Sequence, residues 1–369
     1  MKMTMTQKIL AAHAGLREVT AGQLINAKLD IVLGNDITTP VAIHEFKKAG
    51  FTDVFDKDRV TIVLDHFVPN KDIKAAEQSK TCREFACSHC VSHFYDVGKM
   101  GIEHALLPEQ GIVTAGDCII GADSHTCTYG AVGAFSTGVG STDMAAGMAK
   151  GMAWFKVPAA IKVELTGALR PFVTAKDISL EVLRLLSVKG GVGHVMEWGG
   201  PGIAGLSVPE RATITNMGTE LGATTSIFPS DEVTRAFLKA QGREADFTPL
   251  SADPDAAYDR VIHIDLDTLE PLIACPHMPD KVVPVRSLKG VKVDQVCVGS
   301  CTNSSLYDLL KTAAMLKGRT VSPSVSMSVS PGSRQVLTML ANCDALSDIL
   351  ASGARLLECA CGPCIGMGF

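Results

Sequence analysis

The sequence has few aromatic residues: Phe, Trp and Tyr make up 5% of its 369 residues, and only two are tryptophan. It offers no basic face laced with aromatics on which nucleobases could stack, so nucleic acid is not an expected partner. Positive charge is not in excess either. Thirty-four Lys and Arg stand against 39 Asp and Glu, a net charge of −5, which gives no pull toward polyanions or anionic lipid. No apolar run approaches the roughly 18 residues that span a bilayer. The opening MKMTMTQKIL has neither a signal-peptide core nor the Arg/Ser-rich pattern of a transit peptide. These absences leave a cytoplasmic protein as the expectation. Its 46% hydrophobic and 20% charged residues suit a soluble chain of two or three domains with a sizeable core.

Apolar, β-branched runs alternate with helical patterns. Residues 60–64, 116–121, 160–165 and 293–298 read as buried strands, and 142–150, 176–187 and 305–317 as helices. Such alternation predicts an α/β fold with parallel-rich sheets covered by helices. In such sheets chemistry gathers where the chain leaves the carboxyl ends of strands. Asp65-His66, Asp123-Ser124-His125 and Gly299-Ser300-Cys301 each follow a predicted strand. Changes in composition suggest lobes over 1–166, 167–285 and 286–369. The last lobe stops just beyond its cysteines, at Gly366-Met367-Gly368-Phe369, and reads as incomplete.

Twelve cysteines in a chain this long are not the disulfide framework of a small secreted domain. Three stand apart. Cys301 follows a strand and leads toward a helix that Thr302, Asn303 or Ser304 could cap, and Cys361 and Cys364 form a Cys-Gly-Pro-Cys turn sixty residues later. Three thiolates can hold an iron–sulfur cube by three corners and leave one iron open as a Lewis acid, whereas electron-transfer clusters usually have four cysteine ligands. Buried or redox-active thiols are the alternative, and Cys359 nearby blurs the assignment. Structural zinc would want a fourth ligand. Cys87-Ser88-His89-Cys90 has zinc-like spacing, but no second cluster of that kind completes it.

Histidines beside acids at strand-end loops are candidates for proton transfer: His66 after Asp65, His104 after Glu103, and His125 with Asp123. Adjacent residues cannot form a Ser-His-Asp relay, so Ser124 is not expected to be a nucleophile. Asn216 and Glu220 are four apart, and one helix would put them on one face.

The segments GADSHT at 121–126, VGSCTN at 298–303 and ACGPCIGM at 360–367 resemble the aconitase superfamily, which takes in aconitate hydratases and the large subunits of isopropylmalate and homoaconitate dehydratases. The resemblance runs along essentially the whole chain. It implies a three-lobed α/β/α arrangement with the third lobe partial and the swivelling domain absent. It implies a 4Fe–4S cluster on Cys301, Cys361 and Cys364, whose open iron takes the substrate hydroxyl and carboxylate. Asp65, His66, His104, Asp123 and His125 would then protonate and orient the leaving hydroxyl. Ser124 would line the site, Asn216 and Glu220 would reach the cluster and its water, and Asn35 would touch substrate. The expected activity is a hydro-lyase acting on a hydroxy di- or tricarboxylic acid, with the isopropylmalate branch first and aconitate hydratase or homoaconitase as alternatives. The expected partner is a small subunit carrying the swivelling domain and its serine base. An iron-responsive RNA-binding protein and an electron carrier are the competing classes.

Overall fold

The structure, a computed structural model, describes residues 2–99 and 101–367. Gly368 and Phe369, the last of the four residues on which the third lobe was read as incomplete, lie outside the described residues. The chain clusters into two compact units, both discontinuous in sequence. One takes the residues up to Val32 with Gly111–Lys289, the other Leu33–Gln110 with the residues from Gly290 onward.

The first unit is built on four parallel strands in the order Thr225–Ile227, His194–Gly199, Ala159–Thr166 and Arg260–Asp265. Helix Ala175–Leu186 covers it. A Thr174/Asp177 capping box starts that helix, satisfying amide groups that the first turn leaves without partners. Ile178, Val182, Leu183 and Leu186 recur at helical spacing and bury one stripe against Ile161, Val163, Met196 and Trp198 of the sheet. A second parallel pair, Cys118–Gly121 with Phe135–Gly138, carries the Asp123 loop at its end. Strands Leu24–Lys28 and Met152–Lys156 form an antiparallel ribbon. The amino-terminal helix Met5–Ala14 is held by Glu197, whose buried carboxylate accepts from the amides of Met5 (3.2 Å) and Thr6 (2.9 Å) and from the Tyr258 hydroxyl (3.2 Å). A carboxylate at a helix amino terminus meets both free amides and the positive end of the dipole.

In the second unit, Gln295–Val298, Ser326–Val329 and Arg355–Leu356 form a parallel sheet. Helices Leu306–Leu316, Arg334–Asn342 and Ala345–Ala351 pack with it around Leu309, Val329, Leu340 and Ile349. A second parallel pair joins Val60–Val63 to His93–Tyr95. Every residue of Val60–Val63, Thr61 included, is buried, as in a parallel strand covered on both faces.

The strands and helices expected from the sequence therefore form, and the α/β class with parallel sheets holds. Three local expectations fail. Helix Leu306–Leu316 is capped by Ser305 with Asp308, not by residues 302–304, so Cys301 sits in the turn ahead of the helix. The helix with Asn216 ends there, and Glu220 lies in a separate 3-10 turn, Thr219–Leu221, because Glu220 and Leu221 bond back three residues rather than four. The zinc-like Cys87–His93 stretch closes helix Ile73–Ser88: Val91 donates its amide to Ala86 and Cys90 to Cys87, while His89 stacks on Phe85. No group of potential metal ligands includes it among the described residues. No helix of the described residues is long and apolar enough to cross a membrane.

Candidate active site

In the second unit the expected acid–base residues converge at strand ends. Strand Ile31–Asn35 delivers Asn35 and then Asp36. Asn35 is 1% exposed and committed internally. Its carbonyl accepts from the amides of Ile37 (3.0 Å) and Thr38 (3.2 Å), and its amide donates to Glu103 (3.1 Å). Asp36 is fully buried and accepts from two consecutive backbone amides, His66 (2.9 Å) and Phe67 (2.8 Å). Burial, and then Asp65 close by, push its carboxyl up to about 6.

Asp65 emerges from strand Val60–Val63 and is saturated. One oxygen lies 2.7 Å from His66 Nδ1, and the other accepts the Glu103 amide at 2.7 Å. Its carbonyl accepts the Cys361 amide, also at 2.7 Å. That last bond ties the thiol loop directly to the acid. His104, 4% exposed, has Nε2 3.6 Å from the Glu103 carboxylate. The start of its helix, Glu103–Gln110, is stitched to the loop after Ser326–Val329 through Ile102, whose amide donates to Gly332 at 2.8 Å. Ligand atoms of Asp36, Asp65 and His66 lie within 4.8 Å of one another. Since the carboxylate oxygens already accept backbone or imidazole hydrogens, the cluster is a hydrogen-bonded network rather than a cation cage.

The cysteine loops are shaped by their glycines. Gly299 has φ +130°, and a Cβ there would stand 2.2 Å from the Ser330 carbonyl oxygen; Cys301 follows it through Ser300, itself at φ 61°. Cys361 is 7% exposed and opens the 3-10 turn Gly362–Ile365, which presents Cys364 to solvent. Its thiol is pushed well above the usual thiol range by the neighbouring Cys364 thiol and by burial, with His66 pulling the other way. All twelve cysteines are free thiols. The three sulfurs of Cys301, Cys361 and Cys364 do not gather within 4.8 Å of one another.

The first unit holds the other expected residues, and two of them, Asp123 and Ser124, line an open groove of about 570 Å³ together with Gly138 and Thr219. Asp123 caps the turn Ser124–Val132 and accepts the His125 amide at 2.7 Å. The imidazole of His125 lies between two carboxylates, with Nδ1 3.7 Å from Asp123 and Nε2 3.8 Å from Glu220. Hydrogen bonding to His125, against the opposing effect of burial, holds the Glu220 carboxyl below its ordinary range. Asn216 is completely buried and donates its amide to the Thr128 hydroxyl (2.9 Å), which in turn donates to the His125 carbonyl (2.6 Å). Asn216 thus supports the His125 turn from beneath.

Asp36, central to this geometry, was not singled out from the sequence, and Glu103 was noted only as the neighbour of His104. The available signal was a carboxylate at a strand end or next to a candidate histidine.

With this geometry in place, comparison supplies the lineage. The pattern of the aconitase family (aconitate hydratase) matches residues 7–290 and 286–368. The chain belongs to the aconitase family. Among its curated relatives, the 3-isopropylmalate dehydratase large subunit of Helicobacter hepaticus is 52% identical over 366 residues, covering 99% of this chain and 87% of that one. The large subunits of the same name from Clostridioides difficile (52%) and Clostridium kluyveri (51%) cover the same shares. Among solved structures, the holo-form of Thermococcus kodakaraensis aconitase X superposes with a TM-score of 0.54 at 13% identity, covering 97% of this chain and 84% of the other. At that identity the superposition speaks for the aconitase-family fold alone.

Proposed function

We propose that the chain is the large subunit of a 3-isopropylmalate dehydratase, a hydro-lyase that removes and re-adds water on a hydroxy dicarboxylic acid. Relatives carrying that name span 99% of the chain at about half identity, which favours isopropylmalate over citrate. The observation that carries the chemistry is the bond from the Cys361 amide to the Asp65 carbonyl, which sets a thiol pair against an Asp–His acid.

The donor set suits an iron–sulfur cluster. Cys361 and Cys364 are adjacent thiols, one of them buried, and two such thiols ionise together only around a cation. The Ser300 hydroxyl beside Cys301 is buried with no hydrogen-bond partner, as a group awaiting an acceptor would be. Cys301, Cys361 and Cys364 would hold a 4Fe–4S cluster, which when bound supplies Lewis acidity toward the substrate hydroxyl.

The remaining steps belong to the protein's own residues. Asp65 accepts the Nδ1 proton of His66, which fixes the tautomer and leaves Nε2 as the position that exchanges a proton with the leaving hydroxyl. The Glu103 carboxylate lies 3.6 Å from His104 Nε2 and sets a negative charge beside that ring. Asp123 and Glu220 flank the His125 imidazole, so that this part of the chain places a ring N–H beside an open groove. Ser124, which lines that groove, has a hydroxyl placed to orient a carboxylate. Asn35 and Asn216 act as braces in this reading, since their side chains are spent on neighbours. The base that takes the carbon-bound proton is assigned to a small subunit. A division into lobes at 166 and 285 accompanies this view.

The test is to reconstitute the chain with iron, sulfide and a small subunit, then follow formation of the unsaturated acid from isopropylmalate and from citrate. Turnover of isopropylmalate at least tenfold faster is expected. Turnover of citrate alone would move the protein to the aconitate hydratase branch.

A further inference from the structure

Asp36 is fully buried, and its two oxygens accept the amides of His66 and Phe67 separately. The peptide units on both sides of the His66 Cα are therefore clamped by one carboxylate. Asp36 is itself immobilised, because Asn35 before it is bonded to Ile37, Thr38 and Glu103. The neighbouring Asp65 is fixed independently by the Glu103 and Cys361 amides.

We propose that Asp36 is a positioning residue for the Asp65–His66 pair, its carboxylate fixing the backbone on either side of His66 and so aiming the imidazole. This inference rests on the proposed hydro-lyase reading, in which His66 handles the proton of the leaving hydroxyl.

A structural role alone explains the choice of residue poorly. Keeping a carboxylate in a buried place beside Asp65 opposes its ionisation, which is why its carboxyl is pushed upward. Asparagine would fill the same volume without a buried charge. It would, however, accept only one of the two amides and turn its own NH2 toward the other, releasing one peptide unit. A charge retained at a disadvantage, where a neutral isostere would fit, marks a group selected for geometry at the site. Misplacement of a reacting group by about 1 Å can lower turnover about 10²-fold.

The experiment compares the wild type with Asp36→Asn and Asp36→Glu, each reconstituted with cluster and paired with the small subunit. Glu197→Gln, which disturbs the seat of helix Met5–Ala14 in the first unit, serves as a purely structural control. The expected result for Asp36→Asn is a fall in kcat of about 10²-fold. KM should stay within about twofold, cluster absorbance per chain should be unchanged, and Tm should fall by no more than about 3 °C. Glu197→Gln should lower Tm and leave kcat unaltered. Asp36→Glu keeps the charge but displaces both oxygens by a methylene, and is expected to lose kcat as well; it carries the test if Asp36→Asn does not fold. Unchanged kcat in a folded Asp36 variant would overturn the positioning role and leave the hydro-lyase reading standing. Loss of activity only in proportion to lost cluster or lost folded protein would overturn it too. A wild type that holds its cluster and partner yet dehydrates no hydroxy acid would overturn both.

Discussion

The two units place their histidines in opposite kinds of surroundings. In the second unit Asp65 is fully buried and His66 is 8% exposed, and all three oxygens of Asp65 have a partner at 2.7 Å. In the first unit His125 is partly exposed, beside an open groove, and its two carboxylate neighbours stand 3.7 and 3.8 Å away. The first arrangement is a rigid brace, strong because it is dry and saturated. The second is a loose, wet electrostatic cradle, which water and salt screen. A residue in the brace should therefore affect geometry and stability together, while one in the cradle should affect charge and little else.

The largest effect is expected where the brace meets the thiols. Cys361→Ser should abolish cluster absorbance and all turnover of the reconstituted pair, and full retention of both would remove Cys361 from the ligand set. Next comes the contrast between histidines. His66→Ala should lower kcat by about 10²–10⁴-fold with the cluster retained, and Tm should fall as well, since Asp65 loses a partner in a dry place. His125→Ala should lower kcat by at least about tenfold with Tm unchanged. Equal changes in Tm for the two variants would erase the distinction. Gly299→Ala should fall between these, losing cluster without a loss of overall secondary structure. Its Cβ has no room beside the Ser330 carbonyl, so the Cys301 loop must move. Circular dichroism together with iron content would measure it.

The smallest effects are in acid, and they carry opposite signs. The carboxyl of Asp36 is raised from 3.8 to about 6. The folded state therefore holds its proton more tightly than the unfolded chain, and its contribution to stability falls as pH rises through that window. The Glu220 carboxyl is lowered. Its contribution is present above the ordinary glutamate range and is lost as pH falls through the depressed value. Urea midpoints at pH 5 and pH 7.5 should show Asp36→Asn gaining on the wild type at the higher pH, by roughly 1–2 kcal/mol. Glu220→Gln should show its deficit at both, limited to a few tenths of a kcal/mol because the site is partly exposed. A reversed sign for either variant would contradict the assigned environment.

Sequence reasoning reached local features and missed those set by distant packing. The Val60–Val63 strand and the Ala175–Leu186 helix follow from continuous and 3.6-periodic apolar patterns, and position after a strand was enough to single out His66 and His125. The clamp of Asp36 on His66 spans thirty residues, and the bond from Cys361 to Asp65 spans nearly three hundred. Neither leaves a periodic trace. Asn216 and Glu220 show the limit at short range: spacing suggested one helix, but the backbone changes from four-residue to three-residue hydrogen bonding between them. Asn35 was expected at the substrate through the family resemblance, and the sequence carried no sign that its side chain would engage Ile37, Thr38 and the distant-in-sequence Glu103.

The grip of Glu197 on Met5 and Thr6 makes this stretch of chain a stopper for a buried carboxylate. A version shortened past Thr6 would leave that buried acid with only the Tyr258 hydroxyl to donate to it, so trimming there should loosen the strand that carries Glu197.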